Sequence, residues 1–214
     1  TLRLLRPLGA VSQGNKVSVL IDGDEVFEAM WSAIAAAERA VVLTTYILEP
    51  DRVGERTLLE LERAAARGCR VLAVLDSFGS HRVADQRLAA LRAAGATVVA
   101  FNPIVRWSAP FSRLVRNHRK ILVGDRRLAF CGGMNLAEEY AGPRHGTGLF
   151  RVTQLVLEGP CALDLAALVE HEANQGSAER PHGTLGDEGG GSLVQILESH
   201  VRRHRRKIQK ALRD

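Results

Sequence analysis

The residues of this chain whose types and spacing could do chemistry cluster in His118-Arg119-Lys120-Ile121-Leu122-Val123-Gly124-Asp125, followed closely by Gly132-Gly133-Met134-Asn135. An imidazole and an ammonium two residues apart fall on one side of an extended backbone, because side chains alternate along a strand. The lysine stands out by composition, since only Lys16, Lys120, Lys207 and Lys210 among the 29 basic residues are not arginine. Lysine is a compact point charge suited to a single phosphate oxygen, whereas arginine is a planar fork. Asn135 adds an amide donor, and Gly132 and Gly133 let the backbone come close to an anion. These groups describe a site for a phosphoryl group with His118 able to attack phosphorus. His81, His145, His171, His182, His200 and His204 lack such a neighbour and read as ordinary core or surface histidines.

The elements that must carry these residues follow from periodicity. Lys16 to Ile21 is a β-branched run ending at Asp22-Gly23, and Asp24 to Ala37 places Phe27, Met30 and Ile34 at helical spacing. Strand and helix then alternate: Val41 to Ile47, Arg56 to Arg67 with Gly68 at its end, Arg70 to Leu75, His81 to Ala94 stopped by Gly95, and Thr97 to Phe101. This alternation predicts an α/β fold with a mixed, mostly parallel sheet covered by helices on both faces. Asn102 to Asn117 holds Arg106, Arg113 and Arg116 with no acid and reads as a basic loop. Lys120 to Val123 and Leu128 to Cys131 form a hairpin around Gly124-Asp125-Arg126-Arg127. Phe150 to Glu158 is a further strand and Cys161 to Ala173 a helix. The domain reading is an N-terminal extension at 1–15, one lobe at 16–174, a glycine-rich linker at 175–191, and a basic amphipathic helix at 192–214 that starts a second lobe. The chain opens on Thr1 and closes on Asp214 inside that helix, as a piece of a longer protein would.

With 214 residues, 46% apolar and 25% charged, the chain is neither disordered nor a fibrous or disulfide scaffold. A net charge of +5 fits a polyanionic partner such as phospholipid headgroups or nucleic acid, and equally a solubility feature. Cys69, Cys131 and Cys161 are widely spaced without a CxxC pair and read as buried free thiols of a reducing compartment. No metal site is readable and no cofactor is expected. Ala40 to Leu48, the longest uncharged apolar stretch, is far shorter than the roughly 20 residues that span a bilayer.

His118-x-Lys120-x4-Asp125 with Gly132-Gly133-x-Asn135 resembles the signature of the phospholipase D superfamily. Asp22-Gly23, the Tyr46 strand, Asp76-Ser77-Phe78-Gly79-Ser80, Phe101-Asn102-Pro103, Asn117-His118-Arg119-Lys120 and Glu158-Gly159-Pro160 look like the N-terminal half of a bacterial cardiolipin synthase. The resemblance implies metal-free phosphodiester transfer through a phosphohistidine, with His118, Lys120 and Asp125 as the catalytic motif. Lys120, Gly133 and Asn135 would then bind substrate, and Asp125 would brace the site more than touch it. It also implies an anionic, phosphatidylglycerol-like substrate and a location peripheral to the cytoplasmic face of the inner membrane. A complete site needs two motifs and this chain has one, so either a second lobe or a homodimer partner must complete it. The homodimer reading leads to a metal-independent phosphodiesterase or nuclease. The family's acid seven residues before Gly159, which orients the motif histidine, is Val152 here. That departure opens a third reading, a degenerate lobe that binds an anion without turnover.

Overall fold

The computed structural model describes residues 9–102, 116–174, 183 and 191–197. The elements run β1 (Ala10–Leu20), α1 (Gly23–Ala36), β2 (Ala40–Thr45), α2 (Arg52–Ala66), β3 (Arg70–Asp76), α3 (Asp85–Ala93), β4 (Thr97–Phe101), β5 (Ile121–Gly124) and β6 (Leu128–Gly132), then a 3-10 turn (Glu138–Tyr140), β7 (Gln154–Glu158), α4 (Pro160–Ala173) and β8 (Ser192–Ile196). The strands form one sheet in the order β4-β3-β2-β5-β6-β7-β1-β8.

Local chemistry starts and stops the helices. Asp22 caps α1 by accepting from the N–H of Asp24 at 2.8 Å, with Asp24 and Glu25 in the first turn where the helix dipole favours negative charge. Asp51 caps α2 through the Gly54 N–H, and Gly68 at φ 93° ends it in the left-handed conformation. Along α1, Val26, Phe27, Met30, Trp31 and Ile34 are buried at helical spacing.

The sheet divides two cores by strand alternation. Val41 and Leu43 of β2 pack with Phe27, Ile34, Leu58, Leu61 and Phe130 under α1 to α3, while Val42 packs with Val74, Val123, Leu165, Leu168 and Val169 under α4. Each fully buried side chain of this size contributes about 1.5–3 kcal/mol, so both layers hold the sheet firmly.

The α/β class, the mixed sheet and helices on both faces are as the sequence predicts. Parallel pairing is narrower than the alternation suggests, because it joins only β2 to β3 and β3 to β4. The ladders β2–β5, β5–β6, β6–β7, β1–β7 and β1–β8 are antiparallel. After β4 no helix of the described residues precedes β5, so β5 enters beside β2 with the opposite direction. Two elements also differ from those expected. β1 begins at Ala10 rather than Lys16, since residues 10–15 pair with β8 and residues 16–20 with β7. Ser192 to Ile196 is a strand rather than the start of a helix, because the free edge of β1 recruits it and pairing overrides helical periodicity. The predicted basic loop at 103–115, most of the linker at 175–191 and the remainder of the predicted helix at 198–214 lie outside the described residues. Cys69, Cys131 and Cys161 are free thiols.

Candidate active site

Strand direction gathers the site. β2, β3 and β6 end, and β5 and β7 begin, at one end of the sheet. That end therefore carries Tyr46 after β2, Asp76 closing β3, Gly132 to Asn135 leaving β6, His118 to Lys120 entering β5, and Val152 entering β7.

Residues 116–120 precede the ladder rather than belonging to it. They still alternate. Asn117 and Arg119 turn toward the α4 side, where they meet Thr44 and Glu172. His118 and Lys120 turn the other way, onto the ring of Tyr46. The imidazole and phenol centroids are 4.9 Å apart, and the Lys120 Nζ stands 5.4 Å from the phenol centroid, within cation–π range. The ammonium also donates to the His118 carbonyl at 2.9 Å, which folds the lysine back over its own turn.

The electrostatics suit an anion. Lys120 is 5% exposed, and burial pushes its ammonium down to about 8. It stays mostly protonated at neutral pH. Loss of solvent and the neighbouring Lys120 charge push the His118 imidazole below its ordinary value, against the pull of Asp76. A neutral imidazole with a free lone pair, beside a desolvated cation, is the pairing that nucleophilic attack on phosphorus requires.

Asp125 is not brought to this place. It sits at the other end of β5, where its carboxylate accepts from the N–H groups of Arg39 (2.8 Å), Ala40 (2.9 Å) and Glu38 (3.0 Å). Burial pushes its carboxyl up, but those three donors outweigh it and hold the acid below its usual range. Asp125 and Arg126 are both at positive φ, 50° and 57°, and the Arg127 N–H closes the turn on the Gly124 carbonyl at 3.0 Å. This is type I′ hairpin geometry, which an aspartate tolerates. Asp125 thus ties the hairpin to the α1–β2 loop and is separated from His118 and Lys120 by the length of β5. Of the three motif residues, Asp125 is thus the one placed away from His118 and Lys120, in contacts that fit the bracing part the sequence suggested for it.

Asn135 is at the right end of the sheet but buried and tied at both ends of its amide. Its Oδ1 accepts from the Ile47 N–H at 3.3 Å and its Nδ2 donates to the Tyr140 hydroxyl at 2.6 Å. It holds the segment after Tyr46 in place, so its first task is architectural. Gly133 is needed for room, since a Cβ there would lie 2.7 Å from Val152 Cγ1. At Gly132 a Cβ would strike the Thr153 carbonyl at 2.7 Å. The acids considered as substitutes at Val152 are placed differently. Glu138 is committed to the Arg52 guanidinium at 2.8 Å, and Glu139 is exposed. Among the described residues, Asp76 is the carboxylate whose charge reaches the His118 ring.

Sequence reasoning gave no part to the supports: Tyr46 as the surface under His118 and Lys120, and Asp76, Asn117, Thr44 and Glu172 beneath them. Two signals were present, a lone tyrosine at a strand end and an acid closing β3, but their meaning depends on strand order. Among the described residues no cluster of three or more His, Cys, Asp or Glu side chains is placed to hold a metal, and no helix is long and apolar enough to cross a membrane.

Comparison with known proteins matches residues 30–147 to the family described as "Cardiolipin synthase, PLD-like domain". Cardiolipin synthase A of Pseudomonas fluorescens is 33% identical over 203 residues, covering 93% of this chain and 42% of that protein. The chain therefore spans less than half the length of that relative. Among solved structures, phosphatidylserine synthase of Haemophilus influenzae superposes with a TM-score of 0.59 at 16% identity, covering 92% of this chain and 43% of that one. The phospholipase D family member Nuc of Salmonella typhimurium gives 0.55 at 19%, covering 77% of this chain and 99% of that one. These two likenesses concern the fold. On the family match, the chain belongs to the PLD-like domain family of the cardiolipin synthases.

Proposed function

We propose that this chain is one lobe of a phosphatidyltransferase of the cardiolipin synthase type, binding the phosphodiester of an anionic phospholipid and attacking it with His118. The observation that carries this reading is the shared placement of His118 and Lys120 over Tyr46, an imidazole below its ordinary pKa beside a desolvated ammonium. The relatives, 33% to 35% identical, are named cardiolipin synthases, which supports phosphatidylglycerol as donor and acceptor.

In the proposed reaction the His118 ring nitrogen bonds to phosphorus while the phosphorus–oxygen bond to the departing glycerol breaks. Lys120 offsets charge gathering on the non-bridging oxygens. A second His-x-Lys motif, which this chain lacks, protonates the leaving oxygen. It then takes the proton of the acceptor hydroxyl as that oxygen displaces the phosphatidyl group from His118. The second motif comes from another lobe, and the reaction takes place at an anionic membrane surface.

The test is lipid turnover by a two-lobe protein containing this chain, presented with phosphatidylglycerol in mixed micelles. Cardiolipin and glycerol form in equal amounts, and His118→Ala abolishes both. Water as acceptor, giving phosphatidic acid or cleaved DNA from a homodimer, would replace transfer by hydrolysis. No product from any phosphodiester would leave the anion-binding, non-catalytic reading.

A further inference from the structure

We propose that Glu172 is a positioning residue for the phosphate site, acting from α4 on the opposite side of the sheet through the two neighbours of His118. The inference rests on the reading of His118 and Lys120 given above and concerns what aims them.

The two residues that flank His118 are each tied to a buried carboxylate. The Asn117 N–H donates to Asp76 Oδ2 at 3.0 Å, and the Arg119 guanidinium donates to Glu172 Oε1 at 2.7 Å. Thr44 joins the two sides, since it accepts from Asn117 Nδ2 at 2.7 Å and its hydroxyl donates to Glu172 Oε2 at 3.2 Å. The Asn117 Oδ1 accepts from the Arg119 N–H at 3.1 Å, which fixes the turn of chain across His118 itself. Thr44 and Asp76 are 0% exposed, Asn117 3% and Glu172 8%. Two carboxylates are placed in a low-dielectric layer at considerable desolvation cost, and burial raises the Glu172 carboxyl against the opposing Arg119 charge. Hydrophobic residues would fill the same space with less penalty. What the network provides is a fixed direction for the backbone of residues 117 to 119, hence for the side chains of His118 and Lys120 that project the other way.

Thr44→Val tests this with little change in shape, and Thr44→Ser restores the hydroxyl. Glu172→Gln keeps the volume and an acceptor for Arg119 while placing an N–H against Thr44. Two readouts are taken at matched thermal stability: the ring resonances of His118 by NMR, and binding of inorganic vanadate. Thr44→Val and Glu172→Gln move the His118 resonances and weaken vanadate by about tenfold, as small misplacements of reacting groups do, and Thr44→Ser returns both toward the original. Unmoved resonances and unchanged affinity in Thr44→Val and Glu172→Gln overturn the proposal. Failure of the unaltered protein to bind vanadate would instead overturn the phosphate site, and the ring resonances would still decide whether Glu172 orients His118.

Discussion

Replacing Asp125 separates architecture from chemistry within the signature motif. Its carboxylate caps three backbone N–H groups at 2.8 to 3.0 Å, those of Glu38, Arg39 and Ala40. Hydrogen bonds to a charged acceptor contribute about 1.5–3 kcal/mol each when buried, but the Glu38 and Arg39 donors are exposed and water replaces the lost partner there. The three together are therefore valued at about 2 kcal/mol. Alanine at φ 50° adds about 1 kcal/mol of left-handed backbone cost, giving about 3 kcal/mol for Asp125→Ala. Asn tolerates that backbone and keeps the oxygen shared by Arg39 and Ala40, so Asp125→Asn costs about 1 kcal/mol. Urea unfolding measures both, and the alanine change lowers the melting temperature by about 6–12 °C for a domain of this size. The acid's folded-state pKa is depressed, so its stabilisation is present above the unfolded value of about 4 and is lost as pH falls through the folded value. The gap between Asp125→Ala and the unaltered protein consequently narrows in acid toward the pH-independent backbone cost of about 1 kcal/mol. Vanadate affinity at neutral pH stays unchanged in the folded fraction. A variant with full stability and lost vanadate binding would refute the reasoning and return Asp125 to the site.

Lys120→Met removes a buried ammonium and raises stability at neutral pH by about 1–2 kcal/mol while vanadate binding is lost. The unfolded chain holds more protons between about 8 and the usual lysine value, so stability of the unaltered protein rises with pH across that window and the methionine variant lacks the rise. Asn135→Ala strands the Ile47 N–H and the Tyr140 hydroxyl and costs about 2 kcal/mol, read by thermal unfolding. Val152→Asp adds a carboxylate just ahead of β7, at the end of the sheet that carries His118. It raises the His118 pKa in an NMR titration and increases turnover of a two-lobe protein, and an unmoved titration counts against this account of Val152.

Much of this arrangement was legible in the residues. The βαβ alternation up to Phe101 and the hairpin around Gly124 follow from periodicity and turn chemistry, and the scarcity of lysine singled out Lys120. The entry of β5 antiparallel to β2 was not legible, since strand order depends on which hydrophobic faces meet. Neither was β8, where five residues with helical spacing pair with a free strand edge instead. At the site, the spacing of His118 and Lys120 was enough to place them on one side. The burial of Asn135, the remoteness of Asp125 and the clamp from Glu172 are three-dimensional facts, produced by groups 44, 76, 117 and 172 that are distant along the chain.

In the proposed reaction His118 forms the covalent bond to phosphorus. The most direct measurement is mass spectrometry of a two-lobe protein containing this chain, quenched in alkali during turnover of phosphatidylglycerol. The expected result is a phosphatidyl adduct on His118 that disappears on adding an acceptor alcohol and is absent from His118→Asn. Turnover with the adduct confined to another residue, or with no adduct while His118→Asn remains active, would contradict it.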